Sequence, residues 1–135
     1  MQLRDFRCDI EAPGMWGFFG GSIEFGEEPV IAARRELLEE LNIEIESLHQ
    51  ITTESEINDL PGIYSSAFTF FINKPINKIV LSEGVDLKYV NYEELCSGNI
   101  FSIKLGKMYP IVKTNYIQYI GKNTLNYWKN FYSIL

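Results

Sequence analysis

Three carboxylates crowd one short stretch of this chain, Glu36, Glu39 and Glu40. A helix advances about 100° per residue, so these three would fall within about a 100° arc and converge on one place. Like charges at such spacings destabilise a helix by a few tenths of a kcal/mol per pair, and stability alone would favour interspersed lysines. A divalent cation removes that penalty. Hard oxygen donors of this kind suit Mg²⁺ or Mn²⁺, ions that share a few carboxylates with waters and phosphate oxygens. The chemistry indicated is therefore phosphate chemistry. A plainer reading stands beside it: an acidic run on a helix is often just a solvated face.

The element that must hold the acids is the clearest in the sequence. Pro29 is followed by Val-Ile-Ala-Ala-Arg-Arg-Glu-Leu-Leu-Glu-Glu-Leu, a run of helix formers. Proline in the first turn fits, because the N–H it lacks would be unpaired there anyway. Val30, Ala33, Leu37 and Leu41 make an apolar stripe, with the acids beside it rather than opposite. Downstream, residues 49–54, 63–72 and 87–91 read as strands from their β-branched and aromatic content, with turn chemistry at 58–62 and 73–77. Residues 92–96 predict a short helix, and 107–120 a second amphipathic helix ending at Gly121. Nothing repeats at a fixed period and no linker divides the chain, so residues 1–135 are expected to form a single α/β domain.

Composition narrows the partners. The chain has 135 residues, is 46% hydrophobic, and carries a net charge of −6. Such an acidic balance argues against non-specific nucleic-acid binding, which needs a basic footprint to displace counterions. Cys8 and Cys96 are far apart and accompanied by one histidine, so a zinc site is not expected, and both read as reduced thiols. No stretch approaches the ~20 apolar residues of a membrane span, and Arg4, Asp5 and Arg7 stand where a signal peptide would be apolar. A soluble, cytoplasmic protein is the expectation.

Written out, the acidic helix and its lead-in run Gly21-Ser-Ile-Glu-Phe-Gly-Glu27-Glu-Pro-Val-Ile-Ala-Ala-Arg-Arg35-Glu36-Leu-Leu-Glu39-Glu40-Leu-Asn42-Ile43. This is similar to the Nudix box, Gly-x5-Glu-x7-Arg-Glu-U-x-Glu-Glu-x-Gly-U with U aliphatic, and eight of its nine specified positions match. The departure is Asn42, where the box has glycine; asparagine is the next most tolerant residue of the left-handed turn that ends a helix. Trp16-Gly-Phe-Phe-Gly20-Gly21 resembles the family's lead-in, with Phe19 in the place of a frequent proline. Leu3-Arg4-Asp5 resembles the end of its early strand, where a basic residue often reaches substrate phosphates.

The resemblance implies an α/β/α sandwich with a mixed sheet and a metal-dependent hydrolase that cleaves a diphosphate linkage in a nucleoside diphosphate derivative. Carried over residue by residue, it assigns Glu36, Glu39 and Glu40 to Mg²⁺ or Mn²⁺, with the Gly20 carbonyl as a further ligand and Glu27 either as a direct ligand or as a residue that supports one. Arg35 would orient Glu36 through a charge-assisted hydrogen bond. The general base would be Glu36 or a loop acid among Glu54, Glu56, Asp59, Glu83 and Asp86. Glu83 is favoured, because Ser82-Glu83-Gly84-Val85-Asp86-Leu87 resembles a Glu-Gly-x-Asp segment of one branch of the family, and the glycine lets the loop fold inward; an exposed turn acid is the alternative.

Arg4, Arg7, Trp16 and Gly21 are candidates for contacting substrate, the arginines through phosphates and Trp16, with Tyr64 and Phe68, by stacking on a base or sugar; aromatics beside turns and in strands are more often core. His49 reads as a packed or surface residue. A competing function on the same fold is a sensor module that binds a nucleotide without hydrolysing it. An isoprenoid diphosphate isomerase would need a catalytic cysteine, and neither Cys8 nor Cys96 has a fitting context. The family usually places one more strand ahead of Leu3. Its absence predicts either that Met1 is not the natural start, or that the C-terminal segment or a homodimer partner covers the exposed sheet edge.

Overall fold

A computed structural model describes residues 1–56, 62, 64–112 and 114–133. It is a mixed α/β structure with small antiparallel sheets and three α-helices. The first sheet is built on β1 (Gln2–Leu3), flanked by β2 (Trp16–Gly17) and by β5 (Asp86–Leu87). Gln2 thus has Gly17 on one side and Leu87 on the other, so neither side of β1 is an open edge. The outer side of β2 meets the C-terminal part of the chain: Ile111 bridges Trp16 in parallel, and the Val112 N–H donates to the Trp16 carbonyl at 2.9 Å.

Helix α1 (Pro29–Leu41) starts on proline and ends on Asn42, which adopts the left-handed conformation at φ 51°, ψ 44°. The N–H groups of Asn42 and Ile43 turn back onto the carbonyls of Leu38 and Leu37, so asparagine closes this helix as the glycine of the box would. Ala32, Leu37, Glu40 and Leu41 are its buried residues, while Val30 and Ala33 are half-buried. The buried face is therefore rotated from the expected stripe toward the acids, and Glu40 lies on it.

Strands β3 (His49–Glu56) and β4 (Tyr64–Thr69) form an antiparallel pair with two register shifts. Helix α2 (Tyr92–Ser97) opens with a complete capping box between Asn91 and Glu94 and stops at Gly98. Strands β6 (Asn99–Ser102) and β7 (Lys107–Pro110) follow as a hairpin. Helix α3 (Thr114–Ser133) is the last element among the described residues.

The C-terminal segment departs from the helix expected over 107–120. Residues 107–110 are strand, and the helix begins after Pro110, whose ring and missing N–H suit a strand end better than a helix interior. The helix also runs through Gly121 instead of stopping there. A Cβ at Gly121 would come within 2.6 Å of Leu95 Cδ1, so this glycine lets α3 pack closely on α2. The strand expected at 87–91 is likewise confined to Asp86–Leu87.

The core gathers Leu3, Trp16, Leu95, Ile100, Ile111 and Ile117. On the far side, His49 of β3 lies among the rings of Tyr127, Trp128 and Phe131, and the Trp128 indole N–H donates to Thr69 Oγ1 at 2.9 Å. No helix among the described residues is long and apolar enough to cross a membrane.

Candidate functional site

Arg35 organises the acids that lie around the start and middle of α1. Its guanidinium donates twice to Glu27, at 3.0 and 2.9 Å, to Glu36 Oε1 at 2.8 Å, to Glu39 Oε2 at 3.4 Å and to the Ser22 carbonyl at 3.0 Å. A planar fork of five N–H donors suits this role as an ammonium would not. The Arg35 bonds hold the Glu27 carboxyl below its ordinary range, aided by the Glu24 N–H. In return, Glu27 and Glu36 push the guanidinium further up. Glu36 also lies against Gly21, where any Cβ would overlap its carboxylate. A side chain at Gly21 would have to move this carboxylate from its bond to Arg35.

Glu40 has a different environment. It is 6% exposed, and its carboxylate accepts from two neutral donors, the Gln2 side-chain amide at 2.6 Å and the Gly20 backbone N–H at 2.9 Å. Burial pushes its carboxyl up, opposed by those two hydrogen bonds and reinforced by the charges of Glu36 and Glu83. Gly20 has a φ of 136°, a conformation open to glycine, and so brings its N–H to Glu40.

The loop carrying Glu83 meets the C-terminal end of α1. The Ser82 N–H donates to the Glu40 carbonyl at 2.7 Å, and the Val85 N–H to the Leu3 carbonyl at 2.8 Å. Between them Gly84, at φ 91°, sits so close to β1 that a Cβ would come within 2.8 Å of Gln2 Oε1 and 2.9 Å of the Leu3 carbonyl. The inward fold expected of this glycine is what the backbone does, and it keeps the exposed Glu83 near enough to Glu40 to act on its charge.

The remaining candidates divide. Asp86 is committed to structure, accepting from Ser102 Oγ at 2.6 Å and from the Leu87 N–H at 2.8 Å. Asp59 lies outside the described residues, as do the side chains of Glu54 and Glu56. Arg4 is half-buried and donates to the Glu11 carbonyl at 2.8 Å, whereas Arg7 is exposed and paired with Asp9. Trp16 is fully buried with its N–H on the Ile100 carbonyl at 3.0 Å. With no exposed face it has nothing to offer a base, so of its two readings the core one holds. Tyr64 is 62% exposed, and Phe68 is half-buried.

Gln2 is the member of this site that sequence reasoning missed. It lies 38 residues from Glu40 in a strand of two residues, and no local spacing links them.

The family model described as NUDIX domain matches residues 3–110. Among curated proteins, the oxidized purine nucleoside triphosphate hydrolase of Danio rerio is 50% identical to this chain over 38 residues, 28% of this chain. That match spans about a quarter of the relative's length, 24%. No solved structure matches the chain.

Proposed function

Because this chain belongs to the Nudix family, we propose that it is a metal-dependent hydrolase that cleaves a diphosphate linkage in a nucleoside diphosphate derivative. The observation that carries the proposal is Glu40, a buried carboxylate with neutral hydrogen-bond partners, near the charges of Glu36 and Glu83. A buried charge is costly unless an opposite charge compensates it. The residues fit Mg²⁺ or Mn²⁺ in donor chemistry, since Glu36, Glu39, Glu40, Glu27 and the Gly20 carbonyl are all hard oxygen donors. Among the described residues no three acidic side chains are gathered closely enough to share an ion. Glu39, whose side chain is 56% exposed, has the freedom to join Glu36 and Glu40.

When bound, a divalent ion would neutralise charge on phosphoryl oxygens and make a water easier to deprotonate. The chain's own residues do the rest. Arg35 fixes Glu36 and Glu27, while Glu83 accepts the proton of the attacking water, with Glu36 as the other candidate for that role. Gly21 leaves room for Glu36, and Arg4 and Arg7 are the cations available to substrate phosphates. The substrate is a small nucleotide derivative; the Danio rerio relative's name supports a nucleotide without fixing which. Family membership also supports reading the layers as an α/β/α sandwich with a mixed sheet; the sheets described are antiparallel, and the isolated parallel bridge between Trp16 and Ile111 is in keeping with that reading.

The test is a panel of nucleoside triphosphates, dinucleoside polyphosphates, ADP-ribose and nucleotide sugars, assayed with Mg²⁺ and with Mn²⁺ for released phosphate or nucleoside monophosphate. The native chain is expected to turn over at least one class, and Glu39→Gln and Glu40→Gln to lose at least about a hundredfold in rate, the scale of losing one transition-state stabiliser. No turnover by the native chain favours a nucleotide sensor instead. Equal turnover by the variants sinks the assignment of these acids.

A further inference from the structure

The acids in and just ahead of α1 are held in two ways. Arg35 donates to Glu27, Glu36 and Glu39, but Glu40 is held by Gln2 and Gly20, neither of them charged. Gln2 is 3% exposed in β1, whose backbone is paired on both sides. An apolar side chain would fill such a position without the desolvation cost of an amide, so an amide there calls for a specific partner. Glu40 Oε1 is that partner, at 2.6 Å. The other end of the amide lies toward the Glu83 loop, where the missing side chain of Gly84 leaves room for Gln2 Oε1.

We propose that Gln2 is a positioning residue: its amide fixes the orientation of the Glu40 carboxylate without cancelling its charge, leaving that charge for a divalent ion, and seats the Glu83 loop beside it. A lysine or arginine at position 2 would orient Glu40 as well but would compete with the ion for it. The inference rests on the metal-dependent hydrolase reading above.

Mn²⁺ binding to the full chain, measured by calorimetry or by the electron paramagnetic resonance of free Mn²⁺ without substrate, tests it. Gln2→Met keeps the length and packing of the side chain and removes the donor, and Gln2→Asn, which keeps an amide but falls short of Glu40, serves as a second variant should the first not fold. Circular dichroism and melting establish that the variant measured is folded. Its Mn²⁺ affinity is expected to fall roughly tenfold or more, the range seen when residues orienting a metal ligand are removed. The Mn²⁺ concentration needed for half-maximal activity should rise in step, while KM at saturating Mn²⁺ stays within about twofold. A merely structural role would lower the folded fraction and leave the affinity of the folded protein unchanged. Native-like Mn²⁺ affinity in a folded Gln2 variant, with affinity lost in Glu40→Gln, overturns the role of Gln2 and leaves the hydrolase reading standing. A native chain that binds no Mn²⁺ overturns both.

Discussion

Glu40 and Glu27 show how neighbouring acids acquire opposite dependences on pH. Burial raises the Glu40 carboxyl above its ordinary value, so the native state binds its proton more tightly than the unfolded chain. Glu40 therefore costs stability at neutral pH, and the cost is relieved as pH falls through its native value. Glu40→Gln is expected to melt at a higher temperature than the native chain at pH 7 without added metal, while losing activity; a lower melting temperature would contradict that cost. Glu27 runs the other way. Its carboxyl is depressed, first by Arg35, so its contribution is present above the unfolded value of about 4.3 and is lost as pH falls through the lower native value. Removing the guanidinium with Arg35→Met should flatten the loss of stability below about pH 4.3, measured as melting temperature against pH. The acids of α1 were legible because one helix carries them at i, i+3 and i+4, with Arg35 directly before the first. Gln2 was not, because its partner is reached through the fold.

At the scale of elements, α1 has the limits its sequence implied, and the substitution at its end is explained by its cap. Asn42 is left-handed at φ 51°, a conformation that costs most residues about 1–2 kcal/mol and glycine almost nothing. Asn42→Gly is expected to be neutral to stabilising by up to about 1 kcal/mol, and Asn42→Ala to destabilise by about 1 kcal/mol, read from denaturant midpoints. Helix α3 was legible in character but not in extent. Tyr109, Ile111 and Val112 fit a helical stripe by spacing, yet they belong to a hairpin strand and its exit, where pairing across β6 and β2 decides. Gly121 read as a stop signal because a glycine after an apolar stripe usually caps a helix. Here it lies inside α3, where Leu95 packs in the space a side chain would take, and that contact is tertiary information.

Across the whole molecule, the sheet on β1, helix α1 and the Glu83 loop form one end of the site, while α3 ties the β3–β4 pair to α2. Gln118 donates to the Leu95 carbonyl at 3.3 Å, and Trp128 to Thr69. The long helix thus braces two parts that are distant in sequence. Trp128→Ala is expected to cost about 2 kcal/mol, below the ~3–5 kcal/mol of a fully buried aromatic because Trp128 is half-buried. Mn²⁺ affinity should be unchanged in the folded variant, and an altered affinity would mean that the aromatic cluster and the acids are coupled.

The chain has two tryptophans, and their surroundings make them separate optical reporters. Trp16, sealed in the core four residues before Gly20, should emit as an indole shielded from water and shift to the red only when that core opens. Trp128, with part of its ring in solvent, should be reached by a soluble quencher such as iodide while the protein is still folded. Quenching and spectral shift recorded along one denaturation curve would then tell whether α3 detaches before the β1 sheet, whose Gln2 holds Glu40, comes apart.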